Sequence, residues 1–145
     1  IEQAFIRGLS AESRYFRFMN SIHELSLEML VRFTQIDYHN EMALVAINSL
    51  PEGEEEIGVA RYLTNPDKKT CEFAIVVSDK WQGKGIARLL MQKLIEIARN
   101  RSLEIMEGQV LANNYRMLEL MTSLNFQISN DPDDSGIKRV VQRLS

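Results

Sequence analysis

The chain of 145 residues has a single cysteine, Cys71, so no disulfide framework is possible, and a reducing, cytoplasmic setting is expected. Basic excess is also missing. The net charge of −3 argues against a general nucleic-acid binder. No apolar run is long enough to span a bilayer, and no signal peptide is visible. The two histidines, His23 and His39, stand apart without metal-ligand spacing, so no metal is expected. Repeats, low-complexity tracts and interdomain linkers are absent. What remains is a chain with 45% hydrophobic and 26% charged residues, the composition of a globular protein large enough for one core. It opens on Ile1 rather than Met, which suggests a fragment of something longer.

Residues 2–19 carry helical spacing with a break near Gly8-Leu9-Ser10, and Ser10 before Ser13-Arg14-Tyr15-Phe16 reads as a helix start. Ser26 to Val31 reads as another helix, with Ser26 its N-cap. Met42–Leu50 is a mostly apolar strand, Pro51 to Glu56 an acidic turn, and Ile57–Leu63 a second strand. Residues 70–78 form a third strand, apolar on both faces after Glu72, as suits the middle of a sheet. A long helix over 83–100 presents Ile86, Leu90, Leu94 and Ile97 on one side and Lys84, Arg88, Gln92 and Glu96 opposite. A strand over 104–111, a helix from Asn114 to Leu124 and an antiparallel pair, Phe126–Ser129 with Ile137–Leu144, close the chain. Strands interleaved with helices and joined by short turns indicate a mixed-sheet α/β or α+β domain.

The segment Gln82-Gly83-Lys84-Gly85-Ile86-Ala87 carries the most chemistry. A glycine-rich turn between a strand and a helix leaves backbone N–H groups exposed at a helix N-terminus, a ready anion site. Gly85 and small Ala87 let a phosphate approach the main chain. Gly-x-x-x-x-Gly-Lys-Ser/Thr is absent, so this is no Walker loop, and the third glycine of a dinucleotide fingerprint is missing. An ordinary strand–helix turn would read the same way from this segment alone.

The loop does not stand alone. Asn114 opens a helix that ends in Leu124-Asn125-Phe126, with Asn125 where a glycine is usual, and Asn tolerates φ > 0 best after Gly. The order strand, Gln-x-x-Gly-x-Ala, helix, strand, Asn, helix, Leu-x-Phe, strand pair over 57–144 resembles the GNAT superfamily of N-acetyltransferases. Leu9 to Phe18, Phe33-Thr34-Gln35-Ile36-Asp37-Tyr38, Met42 to Ala46, Gly58 to Tyr62 and Glu72 to Val77 are similar to the acetyltransferase domain of bacterial protein lysine acetyltransferases. Those enzymes fuse it to a module resembling an ADP-forming acyl-CoA synthetase.

That resemblance implies a GNAT fold, a central mixed twisted sheet flanked by helices, over residues 1–145 as one domain. The superfamily's first strand would be missing, since this chain starts in what reads as the following helix. It implies acetyl-CoA as co-substrate, held by Ile75, Val76 and Val77 through backbone groups, by Gln82, Gly83, Lys84, Gly85, Ile86, Ala87 and Arg88 around the pyrophosphate, and by Asn114. The implied partners are a protein bearing the acceptor lysine, such as an acyl-CoA synthetase, and an upstream module of the same chain.

Acetyl transfer to a lysine needs a base, because the ammonium has no free lone pair at neutral pH. Glu72 is the choice. A carboxylate among apolar strand residues is desolvated, and the resemblance puts the family's catalytic glutamate there. A solvent-facing strand-end glutamate is the plain alternative. Glu72 and Ile75 are about 10 Å apart along a strand, so a water must relay the proton. Asp37 and Glu41 are reserve bases. Cys71 and Glu72 should face opposite sides of the sheet, making Cys71 a core thiol. The leaving-group acid is missing. Many members have a tyrosine five residues before the closing Phe, and here Met121 stands there. Glu52–Glu56 reads as a solvated turn and Trp81 as packed on the sheet. A small-molecule amine acetyltransferase, or a non-catalytic acyl-CoA sensor, would share these features.

Overall fold

The computed structural model describes residues 14–18, 29–37 and 40–145. Its elements are β1 (Arg14–Phe18), β2 (Met29–Asp37), β3 (Glu41–Leu50), β4 (Gly53–Thr64), β5 (Thr70–Val77), a 3₁₀ turn (Asp79–Trp81), α1 (Ile86–Asn100), β6 (Ile105–Leu111), α2 (Tyr115–Ser123), β7 (Gln127–Asn130) and β8 (Ile137–Arg143). The chain divides into two compact units. One holds residues 1–62 and 75–94, and the other holds 63–74 and 95–145.

In the first unit β1 pairs antiparallel with β2, and β2 antiparallel with β3, with a register shift between Gln35 and Asp37. Pro51-Glu52 alone joins β3 to β4, and a two-residue connection permits only an antiparallel hairpin. β3 is buried at every position from Met42 to Asn48, so neither of its faces is open. Val45, Ile47 and Val59 pack together within this unit. The first half of α1 buries Ile86, Leu90, Met91 and Leu94, an i, i+4, i+5, i+8 stripe.

In the second unit β5 pairs parallel with β6, β6 antiparallel with β8, and β8 antiparallel with β7. Parallel and antiparallel pairs together make the mixed sheet of an α/β fold. The Phe73 ring lies on Gly108, where an added Cβ would come within 2.5 Å of it, and meets Phe126 at 5.4 Å between centroids. Asn125 has φ 73, the left-handed turn that ends α2, and Phe126 N–H returns to the Met121 carbonyl at 2.9 Å.

Several sequence expectations change. Arg14–Phe18 is a strand rather than part of a helix, and so is Met29–Asp37, including residues 29–31. Both segments are rich in aromatic or β-branched residues, which favour a pleated ladder. A strand, not a helix, is thus the first described element. Residues 2–13, Ser26, His23 and His39 lie outside the described residues. The acidic turn shrinks to Pro51-Glu52, because the hairpin carries Glu54–Glu56 into β4. Helix α1 starts at Ile86, not Gly83, since Gly83 and Gly85 have φ 77 and 89 and cannot be helical. Phe126 precedes β7 rather than starting it. The polar row Lys84, Arg88, Gln92 and Glu96 is exposed, as the spacing predicts, whereas Ile97 is only half-buried.

Candidate active site

The first unit builds the candidate cofactor loop. After β5 the chain makes one 3₁₀ turn and enters Gln82-Gly83-Lys84-Gly85. Both glycines are left-handed, a conformation that costs side-chain-bearing residues dearly. A Cβ at Gly85 would meet nothing within 4 Å, so the space before this backbone is open. The Gly85 carbonyl accepts the first bond of α1, from Leu89 N–H at 3.1 Å. The internal hydrogen-bond ladder of α1 therefore begins only at Leu89 N–H, and the first turn presents its N–H ends toward the loop. Gly85 has no side chain to cap them, and no acidic residue sits in the first turn. Exposed Lys84 and Arg88 add positive charge to the dipole. This arrangement suits a diphosphate.

Gln82, expected from its motif position at the cofactor, also bonds within the chain. Its Nε2 donates to the Val77 carbonyl at 3.1 Å and to Asp79 Oδ1 at 3.3 Å, stapling the loop to the end of β5. Gly58, which sequence reasoning passed over, lies against the same strand end. A Cβ there would press on the Val76 carbonyl at 3.2 Å, the Val77 side chain at 3.3 Å and Leu90 at 3.3 Å. Its signal was a glycine inside a strand, which marks close backbone approach.

Along β5 the exposures alternate. Cys71 and Phe73 are buried, and Glu72, Ala74 and Val76 are exposed, Val76 by 70%. The strand is not apolar and covered on both faces, as the run of residues suggested. One row is open, and an exposed valine there offers an apolar surface. Glu72 is correspondingly solvent-facing rather than desolvated. Cys71 lies on the opposite side, with its thiol pushed up to about 12 by burial, aided by the Glu107 charge. It is a core thiol and no nucleophile at neutral pH.

Within the second unit, Glu72 and Glu107 are register partners on the parallel strands β5 and β6. Their side chains therefore share a face. Glu107 is ion-paired to Arg139 of β8, which offsets one of the two carboxylates. Asn114 is the N-cap of α2, and its Oδ1 accepts Met117 N–H at 3.2 Å. The carbonyl half of this amide is thus spent locally. Met121 is fully buried and Tyr115 is 77% exposed. Glu41 is half-buried at the start of β3, and Asp37 ends β2.

The profile described as the acetyltransferase (GNAT) family matches residues 9–126. An acetyltransferase of Pseudomonas aeruginosa is 36% identical over 144 residues, covering 99% of this chain and 76% of that protein. An L-methionine sulfoximine/L-methionine sulfone acetyltransferase of Pseudomonas paraeruginosa is 35% identical over 69 residues, or 48% of this chain and 40% of that protein. Among solved structures, the GNAT domain of PAT from S. lividans aligns with a TM-score of 0.64 at 24% identity, over 77% of this chain and 65% of that one. This last likeness concerns the fold.

Proposed function

The chain belongs to the acetyltransferase (GNAT) family, and from that premise we propose that it moves an acetyl group from acetyl-CoA to the primary amine of a small molecule. The observation that carries the cofactor half is the pair of left-handed glycines before α1, with open space at Gly85 and the helix N-terminus directly behind it. In this reading the pyrophosphate lies on Gly83–Arg88, with Lys84 and Arg88 flanking it and Gln82 holding the loop in place. The pantetheine arm runs along Ile75–Val77 and uses backbone groups, one of which polarises the thioester carbonyl. The amide nitrogen of Asn114 is the remaining contact. We read residues 1–145 as one acetyltransferase domain.

Glu72 is the proposed base. Through a water, its carboxylate takes the proton that the attacking ammonium sheds. The amine nitrogen bonds to the acetyl carbon and gives its second proton to water as the C–S bond breaks and the thiolate leaves. With Met121 buried at the position where other members have tyrosine, water supplies the proton to the thiolate, whose free-thiol value of about 8.5 makes it a tolerable leaving group.

For the acceptor, the relative that acts on L-methionine sulfoximine and L-methionine sulfone supports a small amine carrying an amino-acid skeleton. A second reading keeps a protein lysine as acceptor, on a metabolic enzyme such as an acyl-CoA synthetase. It rests on the sequence phrases around Phe33–Tyr38 and Met42–Ala46. Two assays with acetyl-CoA separate them: a panel of small amines including methionine sulfone, and a cell lysate searched for acetyl-lysine by mass spectrometry. Turnover of the amines with an unlabelled lysate supports the first reading, and the reverse supports the second. Glu72→Gln should keep acetyl-CoA affinity and lose ~10²–10⁴-fold in kcat near neutral pH. A near-normal kcat would move the base to Asp37, Glu41 or bulk water.

A further inference from the structure

The acidic run Glu54–Glu56 was expected to be solvated, yet its middle member turns inward. Glu55 is half-buried on β4, and its Oε2 faces the 3₁₀ turn that precedes the glycine loop. Two groups of that turn converge on this one oxygen. Lys80 Nζ is 2.7 Å away and Trp81 Nε1 donates at 3.3 Å. The buried Asn48 of β3 also hydrogen-bonds the Glu55 side chain. Trp81 itself is buried, and Gln82, the next residue, is bonded back to Val77 and Asp79. The N–H groups of Trp81 and Gln82 close the turn onto Ser78 and Asp79 carbonyls, and Ser78 N–H joins the Ile57 carbonyl at 2.9 Å. Glu55 is thus the one carboxylate among these contacts that ties the β3–β4 hairpin to the turn leading into Gly83–Gly85.

We propose that Glu55 is a positioning residue for the acetyl-CoA loop, a role that rests on the acetyltransferase reading above. It touches no substrate. By fixing Lys80 and Trp81 it sets where the chain enters the two left-handed glycines, and so where the N-terminus of α1 points. Left-handed glycines are permissive and do not fix that direction themselves. A loop aimed by an outside carboxylate binds without first being ordered, which lowers the cost of association.

Trp81 is the sole tryptophan, four residues from Gly85, so its emission reports directly on this junction. Acetyl-CoA is titrated into the wild-type chain, Glu55→Gln, Glu55→Ala and, as a control, Glu56→Gln, whose site is exposed. Kd should rise roughly tenfold in Glu55→Ala, as loss of hydrogen bonds to a charged group suggests, and less in Glu55→Gln, which keeps an acceptor for Trp81. Kcat at saturating acetyl-CoA should stay within about twofold, since the reacting groups are untouched. Glu56→Gln should match wild type. Where Glu55→Ala does not fold, Trp81→Phe decides: followed by calorimetry, it keeps the buried ring, loses the donor and should weaken binding. Unchanged Kd in folded Glu55→Ala or Trp81→Phe overturns the role. Failure of the wild-type chain to bind acetyl-CoA overturns the cofactor assignment itself, a result recognisable before any variant is made.

Discussion

The two helices begin in opposite ways. Helix α1 starts behind a glycine with no side chain to offer, and its internal hydrogen bonds begin only at the Leu89 N–H. Helix α2 starts behind Asn114, whose amide oxygen consumes the Met117 N–H. In the proposed reading the first start offers its donors to the cofactor, while the second spends one on its own stability. Both were read from sequence as parts of a cofactor site. The comparison sets a start that we propose takes a ligand beside a start that caps itself.

The sharpest way to break this contrast is Gly85→Glu. A side chain would enter the open space, a left-handed backbone would be strained, and a like charge would face the pyrophosphate. Calorimetry should show acetyl-CoA affinity down by roughly 100-fold or more, equivalent to ~2.7 kcal/mol. Unchanged affinity would remove the loop from the cofactor site.

Asn114 is next in size. Asn114→Ala should cost ~0.5–2 kcal/mol of stability through the lost cap, visible as a lower Tm. Asn114→Asp keeps a capping oxygen and removes the amide nitrogen. If the nitrogen holds the cofactor, Asn114→Asp holds Tm and raises KM for acetyl-CoA. If KM stays put in both variants, Asn114 is a cap and nothing more.

The smallest change is expected at Met121, on the buried side of α2. Met121→Leu conserves volume and should cost less than ~1.5 kcal/mol, with kcat retained. A large loss of kcat at unaltered Tm would mean that this position takes part in the leaving-group step.

The loop, the long helix and the closing hairpin were legible in the sequence because each depends on local chemistry. Glycines at 83 and 85, a 3.6-residue stripe and a Leu-x-Phe stop need no distant partner to be read. The N-terminal strands were not legible. Ser10 and Ser26 read as helix starts, and the ladder that decides for β1 and β2 lies in the pairing of β1 with β2 and of β2 with β3, which no window of residues displays. Glu72 was correctly set opposite Cys71 by strand alternation, but its exposure was missed, since Ala74, Ile75 and Val76 read as covered although one row of the strand is open. Glu55 was missed for a related reason. Three glutamates in a row look alike until the hairpin gives each a side, and the middle one meets Lys80 and Trp81.

Cys71 gives the molecule a built-in counter. Its thiol is inaccessible in the folded chain and, with its ionisation pushed up to about 12, is kept in the unreactive form. An alkylating reagent can mark it only after the second unit has opened around it. Each mark is permanent, so the rate at which they accumulate under mild conditions measures how often this part of the chain lets go, one decade of rate for every ~1.4 kcal/mol. Because Cys71 is the immediate neighbour of Glu72, the same tally reports how firmly the proposed base is held, without any substrate being known.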